Sequence, residues 1–159
     1  MYDLVMDTKK WSYGNAQLQN VYYDEINRTQ LLSIRNADVD LAFDLISKNK
    51  MNEAKNVLEH DDKMILETNM PYGMTSTNNN HNRISLGFLE ACYRCGDIKL
   101  ATKVAASVQK DLLQQRRYYQ SLDDDKKANM QYEISTNENL IQLLDQLNKT
   151  FATKKTGLE

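Results

Sequence analysis

Apolar residues recur at three- and four-residue intervals through most of this chain, a period that predicts helices rather than strands. The first stripe is Leu31, Ile34, Leu41, Ala42, Leu45 and Ile46, in a helix expected from about 24 to 48 with Asp24 as N-cap. Asp38 falls on that stripe one turn after Arg35. An exposed pair worth a few tenths of a kcal/mol is the expectation there, with a partly buried pair as the alternative. A second helix, about 51 to 67, carries Met51, Ala54, Val57, Leu58, Met64 and Ile65. The pattern then breaks over Thr68-Asn69-Met70-Pro71-Tyr72-Gly73-Met74 and the polar tract to Asn80, where Pro and Gly cannot continue a helix. Helical spacing resumes over about 82–95 with Ile84, Phe88, Leu89, Cys92 and Tyr93 inward. After Gly96, Asp97 caps a helix of about 98–121 with the stripe Ala101, Val104, Ala105, Val108, Leu112 and Tyr119. Asp123 to Asp125 start a last helix of about 124–151, whose stretch Ser135-Thr136-Asn137-Glu138 is its weak point. Ahead of all this, residues 1–22 read as an irregular or partly helical arm. Trp11, Tyr13, Tyr22 and Tyr23 are the anchors expected of it, and Gly14-Asn15 its turn.

Two of the hairpins so predicted repeat at an offset of 47 residues. Leu41 aligns with Phe88, Leu45 with Cys92, Ile46 with Tyr93, Asn49 with Gly96 and Ala54 with Ala101. Asn and Gly are the residues that best tolerate the left-handed conformation ending a helix. The paired alanines are small where two helices of a hairpin cross. The pattern is that of a tetratricopeptide-like array, in which each hairpin buries a face against the next, and the polar break lengthens the usual repeat of ~34 residues. The expected fold is therefore all-α: a right-handed array of two hairpins with a long C-terminal capping helix, spanning residues 23–152. Leu41, Leu45, Ala54, Val57, Leu58, Phe88, Leu89, Cys92, Ala101, Val104 and Val108 should form its core.

Composition narrows the function more than the fold. A length of 159 residues fits one domain. The net charge of −2 leaves no long-range field for nucleic acid or an anionic membrane surface. No apolar run approaches the ~20 residues that cross a bilayer. The abrupt start at Met1 and the closing Leu158-Glu159, a common vector scar, suggest an excised soluble piece, with 153–159 a disordered tail.

Candidate chemistry is sparse. Cys92-Tyr93-Arg94-Cys95 is a C-x-x-C at a helix end rather than a helix start, and no partner Cys or His pair completes a zinc site, so Cys92 reads as core. His60-Asp61-Asp62 has the residues of a metal or acid–base cluster, yet adjacent helical positions diverge, which favours a solvated face. Gln114 to Tyr119 mixes cations with aromatics as single-strand binders do, but it reads as a helix end packed on the last helix. Asn27-Arg28-Thr29 and Asn148-Lys149-Thr150 match the glycosylation sequon inside predicted helices. The polar break is read first as a linker. Its best binding candidates are Tyr72, Asn78, Asn79, Asn80, His81 and Arg83, whose amides and ring groups suit a polar ligand at one edge of an array. No catalytic residue, metal ligand or cofactor site is assigned, because no nucleophile–base–orienter set is present.

Trp11-Ser12-Tyr13-Gly14, Val21-Tyr22-Tyr23-Asp24-Glu25, Arg28 and Leu32-Ser33-Ile34-Arg35, followed by the two hairpins, resemble the C-terminal segment of a Bacteroidetes membrane-protein family of unknown function. Tyr118-Tyr119-Gln120-Ser121-Leu122 and Ile141-Gln142-Leu143-Leu144 extend the likeness over roughly residues 1–150. The N-terminal part of that family resembles protein O-mannosyltransferases. The resemblance implies a non-catalytic, extramembrane tail of an inner-membrane glycosyltransferase, on the periplasmic side. Its partner would be a protein acceptor or the membrane part of its own parent. The alternative is a stand-alone adaptor that binds a peptide segment.

Overall fold

The computed structural model describes residues 1–152; the expected tail at 153–159 lies outside the described residues. Seven α-helices and no strand make up the described chain: α1 (Tyr2–Val5), α2 (Glu25–Ser47), α3 (Met51–Met64), α4 (Asn80–Arg94), α5 (Ile98–Ser121), α6 (Asp124–Asn129) and α7 (Gln131–Ala152). No described helix is long and apolar enough to cross a membrane.

Helix starts follow capping chemistry. Asp24 accepts from the Asn27 amide at 2.8 Å, Asp97 from Leu100 at 3.1 Å and Asp123 from Lys126 at 2.9 Å. Each satisfies an amide that the first turn leaves without an intrahelical partner. The turns closing α2 and α4 are copies of each other 47 residues apart. Lys50 N–H donates to Leu45 O and Asp97 N–H to Cys92 O, both at 2.9 Å. Asn49 donates to Ile46 O and Gly96 to Tyr93 O, while Ala54 donates to Lys50 O and Ala101 to Asp97 O. Asn49 (φ 58°) and Gly96 (φ 81°) both take the left-handed conformation that permits this pattern.

The hairpins α2–α3 and α4–α5 meet through α2 against α4, and α7 packs on α5. Ala54, Val57, Leu58, Phe88, Leu89, Cys92, Ala101, Val104 and Val108 are all 0% exposed in one continuous core, with Leu41 and Leu45 beside them. Fully burying each large member contributes ~1.5–3 kcal/mol, which is what offsets the entropy of ordering the helices.

Three expectations need correcting. The C-terminal helix does not weaken at 135–138. Those residues are helical, and Asn137 is buried with its amide donating to Leu112 O on α5 at 3.1 Å. The break falls instead at Met130 (φ −111°, ψ 23°), at the end of α6, which buries no residue. Second, Tyr22 is no anchor, being 85% exposed. The stretch before α2 is extended, so side chains alternate, and Tyr23 turns inward while Tyr22 turns out. Tyr13, Ala16 and Tyr23 of the arm cover Leu31, Leu32, Ile65 and Met70 in a second apolar cluster. Asn69 pins that arm by donating to Ala16 O and Leu18 O, each at 2.8 Å. The third correction concerns Arg35, Asp38 and Asp61, described next.

Candidate functional site

The segment between α3 and α4 runs back across α5, and its polar residues are largely turned inward. Asn78 (φ 53°) and Asn79 (φ 55°) adopt left-handed backbone, which Asn tolerates better than most residues, and this accounts for an asparagine run at that corner. Asn79 is buried and exchanges both amide bonds with Gln115, at 2.8 and 3.1 Å. Buried Asn82 donates to Asn79 at 2.8 Å and to Asp111 at 2.7 Å, and Gln115 donates to the same Asp111 oxygen at 2.6 Å. Gly73 N–H donates to Ser107 Oγ at 3.0 Å. A Cβ on Gly73 would lie 2.1 Å from Ser107 O, so only glycine permits this approach of loop to helix.

The six residues proposed from sequence therefore divide. Tyr72, Asn79 and His81 are buried. The Tyr72 hydroxyl donates to Asp62 at 2.8 Å, and its carbonyl accepts from Ser85 Oγ at 2.6 Å. His81 Nε2 lies 2.6 Å from Pro71 O, an acceptor only, so that nitrogen carries the proton. Burial lowers the His81 pKa to about 4, keeping the ring neutral. Asn78, Asn80 and Arg83 are exposed, with Arg83 Nε donating to Asn78 O at 3.1 Å.

A buried ionic cluster lies beneath Tyr72, in place of the exposed Arg35–Asp38 pair and the solvated face at Asp61 that were the first expectations there. Arg35 and Asp61 are both 0% exposed and paired at 3.0 Å. Asp38, also 0% exposed, is bonded not to Arg35 but to the Tyr13 hydroxyl, which donates at 2.8 Å. The Arg35 guanidinium carbon stands 4.3 Å over the Tyr72 ring, a cation–π contact in a desolvated setting. Burial opposes the charge of Arg35, but Asp61 outweighs it and raises the pKa. Burial, reinforced by Asp61 and offset by Tyr13 and Arg35, lifts Asp38 to about 7. Burial also raises Asp61, against the pull of Arg35. Asp62 lies outside this core and pairs with Lys103 at 2.6 Å. The signal that would have found the cluster is Asp61 itself: it stands three and four positions after Leu58 and Val57, on the buried side of α3.

Two clefts open on the surface. One, about 490 Å³, lies between the start of α2 and the loop, lined by Glu25, Arg28, Leu32, Ser76, Thr77, Asn80 and His81. It continues into a shallower cleft of about 340 Å³ with Ser33, Asn36 and Ile84. The other, about 860 Å³ and more apolar, lies between the two hairpin turns and α7, with Ile46, Tyr93, Ile98, Leu143 and Leu147. Tyr93 is fixed there by stacking on Phe151 at 4.9 Å and by donating to Asn148 at 2.8 Å.

Cys92 is buried in the core and Cys95 half-buried, both as free thiols whose pKa values burial raises. That is the opposite of the electropositive setting a reactive thiolate requires. At the end of α5, Tyr119 is buried, Tyr118 is exposed, and Arg116 pairs with Glu138 of α7. Among the described residues, no group of three or more His, Cys, Asp or Glu is placed to hold a metal ion. No family model, curated protein or solved structure matches the chain.

Proposed function

We propose that the chain is a non-catalytic interaction module built of tetratricopeptide-like hairpins, the extramembrane tail of a membrane glycosyltransferase. It positions a protein acceptor or braces the membrane part of its parent. The duplicated hairpin turn carries the repeat reading: the same backbone bonds recur at a constant offset, with Asn49 and Gly96 at the same left-handed position. Repeats of that kind bury their faces on one another and leave a continuous surface for a partner. The glycosyltransferase part of the proposal rests on the resemblance of residues 11–35 and of both hairpins. Deleting this segment from the parent should abolish acceptor modification while leaving the membrane part intact. Unchanged acceptor modification by the tail-less protein would refute it.

The second reading, a stand-alone adaptor for a peptide segment, is favoured by the cleft along α2 and α4, whose lining is mostly hydroxyl and amide. The upstream reading frame separates the two. Several spans of ~20 apolar residues support the membrane parent, and their absence supports the adaptor.

A further inference from the structure

Arg28 is a half-buried cation with no counter-charge among the described residues. Arg35 pairs with Asp61, Arg94 with Glu90, Arg116 with Glu138, and Arg83 donates to a backbone carbonyl. The side chain of Arg28, half-buried on α2, makes no hydrogen bond or ion pair with a described residue, and its Nε is buried without a partner. It faces the 490 Å³ cleft. Its Nε is closed off from solvent, while the guanidinium as a whole has lost hydration without gaining a counter-charge, and an anion in the cleft would supply one to the terminal nitrogens.

The rest of the cleft defines what kind of anion fits. Leu32 and Met74 supply an apolar floor, and exposed Asn80, which makes no side-chain hydrogen bond, presents one acceptor and two donors. That set matches a peptide amide, not a bare inorganic ion. From Glu25 to Asn36 the seam follows α2 for about 16 Å at 1.5 Å per residue, room for about five residues of extended chain at 3.3 Å each. Glu25 lines the same mouth one turn before Arg28 without an ion pair to it, so a run of acids would be repelled while a single one is accepted.

We propose that the α2–α4 cleft binds an extended peptide segment through one acidic side chain, its carboxylate on Arg28 and its backbone on Asn80. This rests on the interaction-module reading and names the chemistry of the partner. The guanidinium selects the acid by paired N–H donors, and the amide of Asn80 sets the register of the bound segment.

The test is an amide-shift titration of the ¹⁵N-labelled chain with capped five-residue peptides, four alanines around a central Glu, Gln or Lys, plus an all-Glu peptide. The Glu-centred peptide should shift amides of residues 25–36 and 74–84 and bind about tenfold or more tightly than the Gln peptide. The Arg28→Gln variant should erase that preference, and Arg28→Lys, which keeps the charge but not the paired donors, should keep only part of it, with unchanged spectra elsewhere as the check on folding. Added salt should weaken the Glu peptide alone. Equal binding of the Glu, Gln and Lys peptides in the cleft overturns the proposed acid selectivity while leaving an interaction module in place. Tighter binding of the all-Glu peptide overturns the single-acid selectivity. No shifts at millimolar peptide, or shifts confined to another face, overturn the cleft as a peptide site.

Discussion

Replacing Arg35 by Met removes the cation that is paired with Asp61 and that also lowers the pKa of Asp38. The pair it breaks is 3.0 Å long with both side chains 0% exposed, and removing one partner of such a pair typically costs ~3–5 kcal/mol. The stacking of the guanidinium on Tyr72 goes with it, although Met restores part of the lost contact with the ring. In a chain of this size that is a fall in Tm of roughly 10 °C. The pH dependence is the sharper signature. Both carboxyls have folded pKa values above the ordinary 3.8, Asp38 at about 7. Their favourable contribution is therefore complete below pH 3.8 and is lost as pH rises toward 7, by on the order of a few kcal/mol. Without Arg35 both pKa values rise further, so the deficit of the variant must grow with pH. Urea unfolding followed by circular dichroism at pH 4.5, 6 and 7.5 measures it. Adding Asp38→Asn and Asp61→Asn to the Arg35→Met variant removes the titrating groups and should flatten its slope. A deficit below ~1 kcal/mol at pH 7.5, or one independent of pH, would refute this account of the buried cluster.

Other perturbations test the loop and arm. Gly73→Ala drives a methyl into Ser107 O of α5 and should cost ~2–3 kcal/mol, read as a lowered urea midpoint; a neutral effect would mean that the loop does not need this close approach. His81→Gln keeps a donor for Pro71 O but cannot titrate. Because the histidine pKa is lowered from 6.5 to about 4, wild-type stability from this group is full above pH 6.5 and lost as pH falls toward 4. The variant should therefore gain on the wild type between pH 7 and pH 5, and parallel pH curves would count against the buried neutral ring. Asn82→Ala leaves Asn79 and Asp111 short of a donor and should cost ~1–3 kcal/mol, with faster amide exchange at residues 73–79 as the local readout.

The parts of the fold legible in the sequence are those set by local rules. Aspartate before an apolar stripe marked the starts of α2, α5 and α6, and the Asn49/Gly96 equivalence marked two turns, because capping and left-handed backbone depend on only a few neighbouring residues. The apolar stripes likewise identified the core, since burial of Val104 or Phe88 follows from period alone. What escaped was polar burial. Arg35 sits on α2 and Asp61 on α3, 26 positions apart, and an i,i+3 acid at Asp38 offered a nearer partner that the folded chain gives to Tyr13 instead. Their pairing is decided by which helix faces meet, and helical period alone did not settle that.

The same distinction governs the polar loop. Its composition alone suggested a ligand surface, yet Asn79, Asn82 and Gln115 direct their amides to one another and to Asp111, which is how a long connection with little apolar content is held on α5. Buried and engaged with one another, these amides are out of a partner's reach, so the binding potential of the loop shifts to the side chains that the network leaves out. In the α2–α4 cleft those are Asn80 and Arg28. Within the asparagine tract Asn79 is committed to Gln115, exposed Asn78 lies outside the α2–α4 cleft, and Asn80 is the amide that shares that cleft with Arg28.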